Sequence, residues 1–180
     1  MFKGISFQAG GDLFIQCDGE FSQDATHRVT IKENVLVRQA ESSGSYREVL
    51  ADEVYLTPGA PAAKSGTPAN AFFSGDFRSL ECLGRVELRT PDQFVQCDRF
   101  IYDKGRDSSL MLVDDPGNDV RVYMSEESGG SRILSAQKSL EVDGNSGKFT
   151  PGGMLVILPY RARIPAPRGK ESSPARKRQP

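Results

Sequence analysis

Val95-Gln-Cys-Asp-Arg-Phe-Ile101 is one of four related segments spread along this chain of 180 residues. Each segment starts with an aliphatic residue and places a small residue two positions later. A polar residue follows directly, and a bulky residue stands four positions beyond the small one. The small residues recur at intervals of 34, 46 and 39 positions, which is typical of repeat architectures. The other three segments are Ile15-Gln-Cys-Asp-Gly-Glu-Phe21, Val49-Leu-Ala-Asp-Glu-Val-Tyr55 and Leu134-Ser-Ala-Gln-Lys-Ser-Leu140.

Apolar residues alternate with polar ones through most of the chain. A period of two indicates β-strands with one buried face. Clusters such as Asp114-Asp-Pro-Gly-Asn118 and Asp143-Gly-Asn-Ser-Gly147 separate the alternating runs and are typical of tight turns. Because helical periodicity is almost missing, the sequence predicts an all-β chain of roughly a dozen strands. The clearest alternating pairs are Val29 and Ile31, Val35 and Val37, Val86 and Leu88, Leu110 and Leu112, and Val120 and Val122.

Alternation fails at one place in every copy, two positions after the small residue, where Gly19, Glu53, Arg99 or Lys138 stands. We infer a bend or bulge after the small residue, where each strand turns a corner. One unit cannot bury its own apolar face, so the units must stack, and the stacked corners form a trough with an apolar interior. Either side chains or a long apolar ligand can fill such a trough, and alternation alone does not distinguish the two.

Charge divides the chain into two parts. The last 22 residues hold seven Lys and Arg, one Glu and five Pro, whereas the preceding 158 hold sixteen basic and twenty-three acidic residues. We therefore predict a folded domain over 1–158 and a disordered basic tail over 159–180, because the tail has too few apolar residues to offset its ordering entropy. The tail is either a solvated segment or a weak contact for anionic headgroups or nucleic acid. The net charge of the whole chain is close to zero, which excludes a uniformly basic nucleic-acid binder.

Several further segments bear on location and flexibility. The stretch Pro58–Asn70, rich in Pro, Gly and Ala, is predicted to be a long loop. The longest apolar run, Met154–Leu158, is far shorter than the roughly 20 residues of a membrane span. The first residues contain no apolar stretch of signal-peptide length, so either the protein is cytoplasmic or the chain is a mature or excised piece of a longer precursor.

No pattern of residues predicts catalysis, a cofactor or a metal. His27 is the single histidine and has no neighbouring nucleophile motif, so we interpret it as a turn or surface residue. The run Asp114–Asp119 lacks the spacing of a calcium loop and is better explained as a β-turn. The three cysteines, Cys17, Cys82 and Cys97, form no CxxC, so neither a zinc site nor a disulfide framework is supported. Cys17 and Cys97 stand at equivalent small positions of the repeats and are interpreted as small buried apolar residues. We predict that the protein is not an enzyme.

The acidic residues Asp18, Asp52 and Asp98 occupy the same position in three copies of the segment. A ladder of carboxylates could hold a metal or form a catalytic pair. We favour the simpler interpretation, in which these side chains accept hydrogen bonds from backbone donors at the corners.

The stretch from Leu83 to Asp103 resembles the OstA-like domain of lipopolysaccharide transport. It contains a strand of the form G-x-V-x-L in Gly84-Arg-Val-Glu-Leu88, followed by Val95-Gln-Cys-Asp-Arg-Phe-Ile-Tyr-Asp103, in which Cys97 stands where the family usually has Ala. The stretches Asn34–Glu41, Val49–Thr57, Leu110–Val122 and Gly130–Ala136 are similar to the family as well, so the resemblance covers about residues 10–150.

The resemblance implies a repetitive, V-shaped and open β-jellyroll. Members of the family hold the acyl chains of lipopolysaccharide in the apolar interior and join end to end through edge strands across the periplasm. For this chain it therefore implies a non-enzymatic lipid-binding or bridging module in the periplasm. Its expected partners are lipopolysaccharide or a similar acyl lipid and other OstA-like domains, with no specific nucleic acid. The alternative is a structural or adhesive β-repeat protein with a filled core and no ligand.

The residues expected to line the lipid groove are the aliphatic and bulky positions of the repeats. Beyond each corner alternation does not determine which residues face inward, because either Phe100 or Ile101 could point inward. The predicted set is Ile15, Phe21, Ile31, Val37, Val49, Val54, Leu56, Val86, Leu88, Val95, Phe100, Leu110, Leu112, Val120, Val122 and Leu134.

Overall fold

Thirteen β-strands and no helix make up the described part of the chain. The computed structural model describes residues 6–8, 13–40, 44–59, 77–125 and 131–160. All pairings are antiparallel, and the described strands form one sheet that does not close on itself, which confirms the predicted all-β open jellyroll. The strands are β1 (Ser6–Gln8), β2 (Leu13–Gln16), β3 (Phe21–Gln23), β4 (Val29–Ala40), β5 (Tyr46–Pro58), β6 (Phe77–Arg89), β7 (Gln93–Asp103), β8 (Ser108–Leu112), β9 (Val120–Ser125), β10 (Ser131–Ala136), β11 (Ser139–Asp143), β12 (Phe149–Gly152) and β13 (Leu155–Tyr160).

The sheet divides into two limbs because its long strands change partners along their length. One end of β7 pairs with β9 and the other end with β8, and β4 likewise pairs with both β2 and β3. The first limb comprises 13–16, 35–40, 46–50, 86–89, 93–97, 120–125, 131–136 and 155–160. The second limb comprises 21–23, 29–32, 53–58, 77–83, 99–103, 108–112, 139–143 and 149–152.

The register of the sheet breaks at the corner between the limbs. The breaks fall between Lys32 and Val35, between Leu50 and Glu53, and between Leu83 and Val86. The extra residues lie on the neighbouring strand: Glu33 and Asn34 bulge opposite Asp52, and Gly84 and Arg85 bulge opposite Asp98, all four with positive φ. The predicted corner is therefore present, but the bulge belongs to the strand beside the repeated segment.

Each repeated segment carries the chain from the first limb to the second. In the second and third copies the strand is continuous through the corner, as β5 and β7. In the first and fourth copies it breaks into two strands, β2 then β3 and β10 then β11. The small residue of every copy is buried at the corner. These four buried residues are Cys17, Ala51, Cys97 and Ala136.

The inner faces of the two limbs share one hydrophobic core. The core contains Val49 and Leu88 from the first limb together with Val54 and Phe100 from the second, so the limbs close on each other. In the second and third copies two successive residues face outward at the corner, as at Asp52 and Glu53, and the next inward residue stands one position before the bulky position of the repeat. Phe100 rather than Ile101 is consequently the buried residue.

Two predicted inward residues are wrong. Leu110 and Leu112 are only partly buried, whereas Ser109 and Met111 are the buried residues of β8. Cross-strand partners share a face, and Met111 pairs with Phe100. Alternation correctly predicted a strand here but assigned its two faces the wrong way round.

The predicted domain boundary falls inside a strand. β13 continues to Tyr160, two residues beyond the boundary expected at 158/159. The rest of the predicted tail and residues 60–70 of the predicted Pro58–Asn70 loop lie outside the described residues.

Candidate functional site

An unbroken apolar row crosses the inner face of the first limb. Cross-strand register places one inward residue from each of seven neighbouring strands side by side, at the strand spacing of about 4.8 Å. A further member, Ile157 on β13, continues the row at the edge of the sheet. The seven buried members are Ile15, Val37, Val49, Leu88, Val95, Val122 and Leu134.

Two matching rows cross the inner face of the second limb. One contains Ile31, Val54, Cys82, Phe100, Met111 and Leu140. The other contains Val29, Leu56, Leu80, Tyr102, Ser109, Val142 and Phe149. These three rows are thus apolar along the stack, with the Ser109 side chain and the Tyr102 hydroxyl as their polar exceptions.

A small cavity of about 60 Å³ lies between the limbs. Leu88, Val95 and Val122 line it from the first limb, and Met111 and Val142 face them from the second. Thr90, Gln93, Ser109 and Phe149 complete the lining. Because a cavity that binds benzene has about 150 Å³, this space does not hold an acyl chain unless the limbs move apart.

Carboxylates of the repeated segment hold the corners together. Asp98 Oδ2 accepts from the backbone N–H groups of Asp114 and Asp115 at 2.9 and 3.0 Å, which confirms the structural interpretation of this residue. Asp52 and Asp18 instead accept from side chains. Arg85 donates Nε and Nη2 to Asp52 at 3.2 and 2.9 Å, and Asn34 Nδ2 donates to Asp18 at 3.0 Å.

The outer side of the corner has a different character. A cleft of about 310 Å³ is lined there by Arg85, Glu87, Gln96, Asp98 and Arg121, among others. Charges of both signs meet in this cleft, so it is unsuited to a hydrocarbon chain. The described residues contain no group of three or more His, Cys, Asp or Glu arranged to hold a metal ion.

A polar network stiffens the outer face of the second limb. Glu81 bridges Arg28, at 2.9 Å, and Arg99, and the Arg28 guanidinium lies 4.5 Å from the centre of the Tyr55 ring. The Tyr55 hydroxyl donates to Glu53 Oε2 at 2.6 Å. This hydrogen bond, together with some burial, raises the pKa of Tyr55. This part of the outer face of the second limb therefore contacts water and forms ion pairs, whereas the inner face makes apolar contacts.

The three cysteines are free thiols on the inner face. Burial is the main reason that the pKa values of Cys82 and Cys97 are raised well above the usual range. A neutral thiol behaves as a small apolar residue. The interpretation of Cys17 and Cys97 as small buried residues is therefore confirmed, and Cys82 is buried as well.

Thirteen of the sixteen predicted groove residues are buried on the inner face. Phe21 pairs with the buried Ile31 and shares its face, but it is 41% exposed because β3 pairs only with β4 among the described strands. Leu110 and Leu112 lie on the outer face, as described above. Six further inner-face residues were not predicted from alternation, and their direction follows from pairing with a known inward partner: Leu80, Cys82, Tyr102, Ser109, Met111 and Leu140.

The edge strand β13 presents exposed apolar side chains. It pairs with β10 along one side, and no described strand covers its other side. Ile157 and Leu158 are 56% and 54% exposed, and Met154, just before the strand, is 56% exposed. An uncovered apolar edge is a template on which another strand can pair. Among the described residues no helix has the length and hydropathy of a membrane span.

The bent open sheet, the repeated corners and the apolar inner rows define an open β-jellyroll fold. Among solved structures, the chain is similar to LptH, the LptA-homologous periplasmic component of the lipopolysaccharide transport device from Pseudomonas aeruginosa. The TM-score is 0.55 at 12% sequence identity, and the match covers 81% of this chain and 93% of LptH. At this identity the likeness shows the fold, and it confirms the fold that the OstA-like motifs predicted. No protein-family model and no curated protein matches the chain.

Proposed function

We propose that this protein holds the acyl chains of lipopolysaccharide or a similar lipid between its two limbs, as a non-enzymatic module of lipopolysaccharide transport in the periplasm. The observation that carries the proposal is the continuous apolar row from Ile15 to Leu134, which faces two further apolar rows across the trough. A row perpendicular to the strands offers a hydrocarbon chain contact over its full length. The similarity in fold to LptH, a component of a transport device, supports this assignment.

Lipid binding requires the limbs to separate. The cavity of about 60 Å³ is too small for a chain, and the limbs are connected through the corners while their inner faces meet through side chains. An entering chain replaces contacts between the limbs with contacts to itself. Each methylene that leaves water contributes about 0.8 kcal/mol, so a long chain compensates for the lost contacts.

The exposed edge of β13 supports strand addition as the way in which the protein joins its neighbours. Ile157 extends the apolar row of the first limb to the edge of the sheet. A second OstA-like domain that pairs with β13 would therefore continue both the sheet and the trough. We infer that such end-to-end contacts, with a second copy or a related domain, form a bridge.

The experiment that tests the function is site-specific photo-crosslinking with lipopolysaccharide. A photoreactive residue replaces Leu88 or Val95 on the inner face, and the matched controls replace their outward neighbours Glu87 and Gln96. Lipopolysaccharide adducts should form from the inner pair and be weak or missing from the outer pair. Equal adducts from both faces, or none from either, would contradict the proposal.

The small volume of the cavity favours a second candidate, a structural or adhesive β-repeat protein with a filled core. In that case the limbs never separate, and the same inner positions give no lipid adduct while the protein remains folded. The crosslinking experiment thus separates the two candidates directly.

A further inference from the structure

The inner face of the first limb changes character one row beyond its apolar row, toward the free ends of the strands. On the six strands β4, β5, β6, β7, β9 and β10, the next inward position is polar or charged in five cases, against none in the apolar row. We name this set the lip row: Gln39, Arg47, Thr90, Gln93, Met124 and Arg132.

Cross-strand register shows that these residues are neighbours. Gln39 pairs with Arg47. On the neighbouring strands β5 and β6, Glu48 pairs with Arg89. Arg47 precedes Glu48 and Thr90 follows Arg89, so in this antiparallel pair Arg47 lies opposite Thr90. Each lip residue is also two positions from a member of the apolar row, so both rows project from the same face, roughly 7 Å apart.

The lip row continues across the hairpin that joins β6 and β7. The backbone N–H of Thr90 donates to the carbonyl oxygen of Gln93 at 2.9 Å, and the N–H of Gln93 donates to the Thr90 hydroxyl at 3.1 Å. Gln93 then pairs with Met124, and Met124 pairs with Arg132. Arg47 and Arg132 are consequently four strand spacings apart, about 19 Å.

The boundary between the two rows passes through the cavity. Thr90 and Gln93 of the lip row line it together with Leu88, Val95 and Val122 of the apolar row. A chain that enters here thus meets hydrocarbon on one side and polar groups on the other. On the second limb, the residue two positions before Ser109 is the buried acid Asp107, which would repel an anion.

We propose that the lip row binds the anionic headgroup of an acyl lipid whose chain lies along the apolar row. This inference rests on the proposed function and gives the bound lipid a direction, with its charged end toward the free ends of the first limb. Guanidinium groups recognise phosphate and carboxylate through several N–H donors at once, and Arg47 and Arg132 carry them at two points of the row. Because each arginine lies one row from the apolar contacts, a ligand whose head binds one of the arginines can place its chain on the apolar row.

Isothermal titration calorimetry with two amphiphiles of equal chain length tests the proposal. Dodecyl phosphate supplies the anionic head and dodecyl glucoside a neutral one, both below their micellar concentrations, with inorganic phosphate as the head alone. The native chain should bind dodecyl phosphate about tenfold more tightly than the glucoside, since hydrogen bonds to charged groups contribute on this scale. Inorganic phosphate should bind far more weakly than either.

The double variant Arg47→Gln/Arg132→Gln should lose most of that preference and keep its affinity for the glucoside, and the two single variants show which arginine binds the phosphate. Arg121→Gln and Arg38→Gln are the matched controls, because both arginines lie on the outer face of neighbouring strands. Equal affinity of the native chain for the two amphiphiles, or an equal loss of preference in the controls, would overturn the lip row. Binding of neither amphiphile would instead overturn the proposed function.

Discussion

The Arg85 guanidinium holds the Asp52 carboxylate through two parallel hydrogen bonds, Nε to Oδ2 at 3.2 Å and Nη2 to Oδ1 at 2.9 Å. Asp52 follows the small residue of the second repeat, and Arg85 belongs to the bulge of the adjacent strand β6. The pair therefore links β5 to β6 at the point where both strands turn from one limb to the other. Asp98 likewise links β7 to the connection at 114–118, so polar contacts join neighbouring chain segments at two of the corners.

The first prediction concerns Gly84, which has φ +72° and sits against Asp52. A Cβ added there would lie 2.6 Å from Asp52 Oδ2, so Gly84→Ala must displace the carboxylate from Arg85. Gly147→Ala is the control, with φ +66° and open space around its Cβ. Both variants should lose roughly 1 kcal/mol through the left-handed backbone. Gly84→Ala should lose about 1–3 kcal/mol more in urea denaturation. Equal losses would show that the corner does not depend on this contact.

A charge in the trough distinguishes a separable pair of limbs from a fixed core. Val95 adjoins the cavity, so if the limbs open, the carboxylate in Val95→Asp can be hydrated. We expect this variant to remain folded, to lose at most about 3 kcal/mol and to bind no lipid. Val54→Asp, at a fully buried position that does not line the cavity, should unfold. Thermal denaturation followed by circular dichroism measures both, and unfolding of Val95→Asp would favour the filled-core alternative.

Thiol reactivity reports the opening of the limbs. Thiolate is the reactive form, and burial raises the pKa values of Cys82 and Cys97. In the native protein, modification by iodoacetamide at pH 8 should therefore be much slower than in urea. The native rate should keep rising with pH where the unfolded rate levels off near pH 9. Single variants Cys82→Ser and Cys97→Ser assign the rates, and native rates equal to unfolded ones would contradict a closed interior.

Tyr55 should ionise above its ordinary range, because its hydroxyl donates to the Glu53 carboxylate. The folded pKa is higher than the unfolded one. The contribution of this hydrogen bond to stability is thus complete below pH 10 and lost as the pH rises through the folded pKa. Ultraviolet titration of the native chain against Tyr55→Phe isolates this residue. Glu53→Ala should lower the pKa of Tyr55, and an unchanged titration in that variant would assign the shift to burial instead.

Self-association should depend on the edge of β13. Replacing Ile157 with Lys places a charge on the uncovered strand, where it opposes pairing with another sheet edge. Met154→Lys is a closely matched control, because Met154 is equally exposed but precedes the strand. Light scattering across a range of concentrations should show association of the native chain and of Met154→Lys, and a marked loss in Ile157→Lys. A native chain that stays monomeric throughout would contradict the bridging role.

Much of the fold follows from local chemistry that the sequence displays directly. Alternation and turn clusters determine strands, and a small residue followed by a broken alternation determines each corner. The inward direction of Val49, Val95 and Leu134 follows because they lie two positions before a small residue that must face the inside of the bend. Past the corner the sequence leaves Phe100 and Ile101 open, and the structure shows that Phe100 is inward because two successive residues face outward before it.

Other features depend on contacts between distant residues. Alternation alone does not determine whether Leu110 or Met111 faces the interior. Met111 faces inward because it pairs with the buried Phe100. The exposure of Phe21 follows from the position of β3 in the sheet. The lip row joins residues from Gln39 to Arg132, which only the strand order brings side by side. The width of the trough is likewise a tertiary property, because it is set by how the side chains of two separate limbs pack against each other.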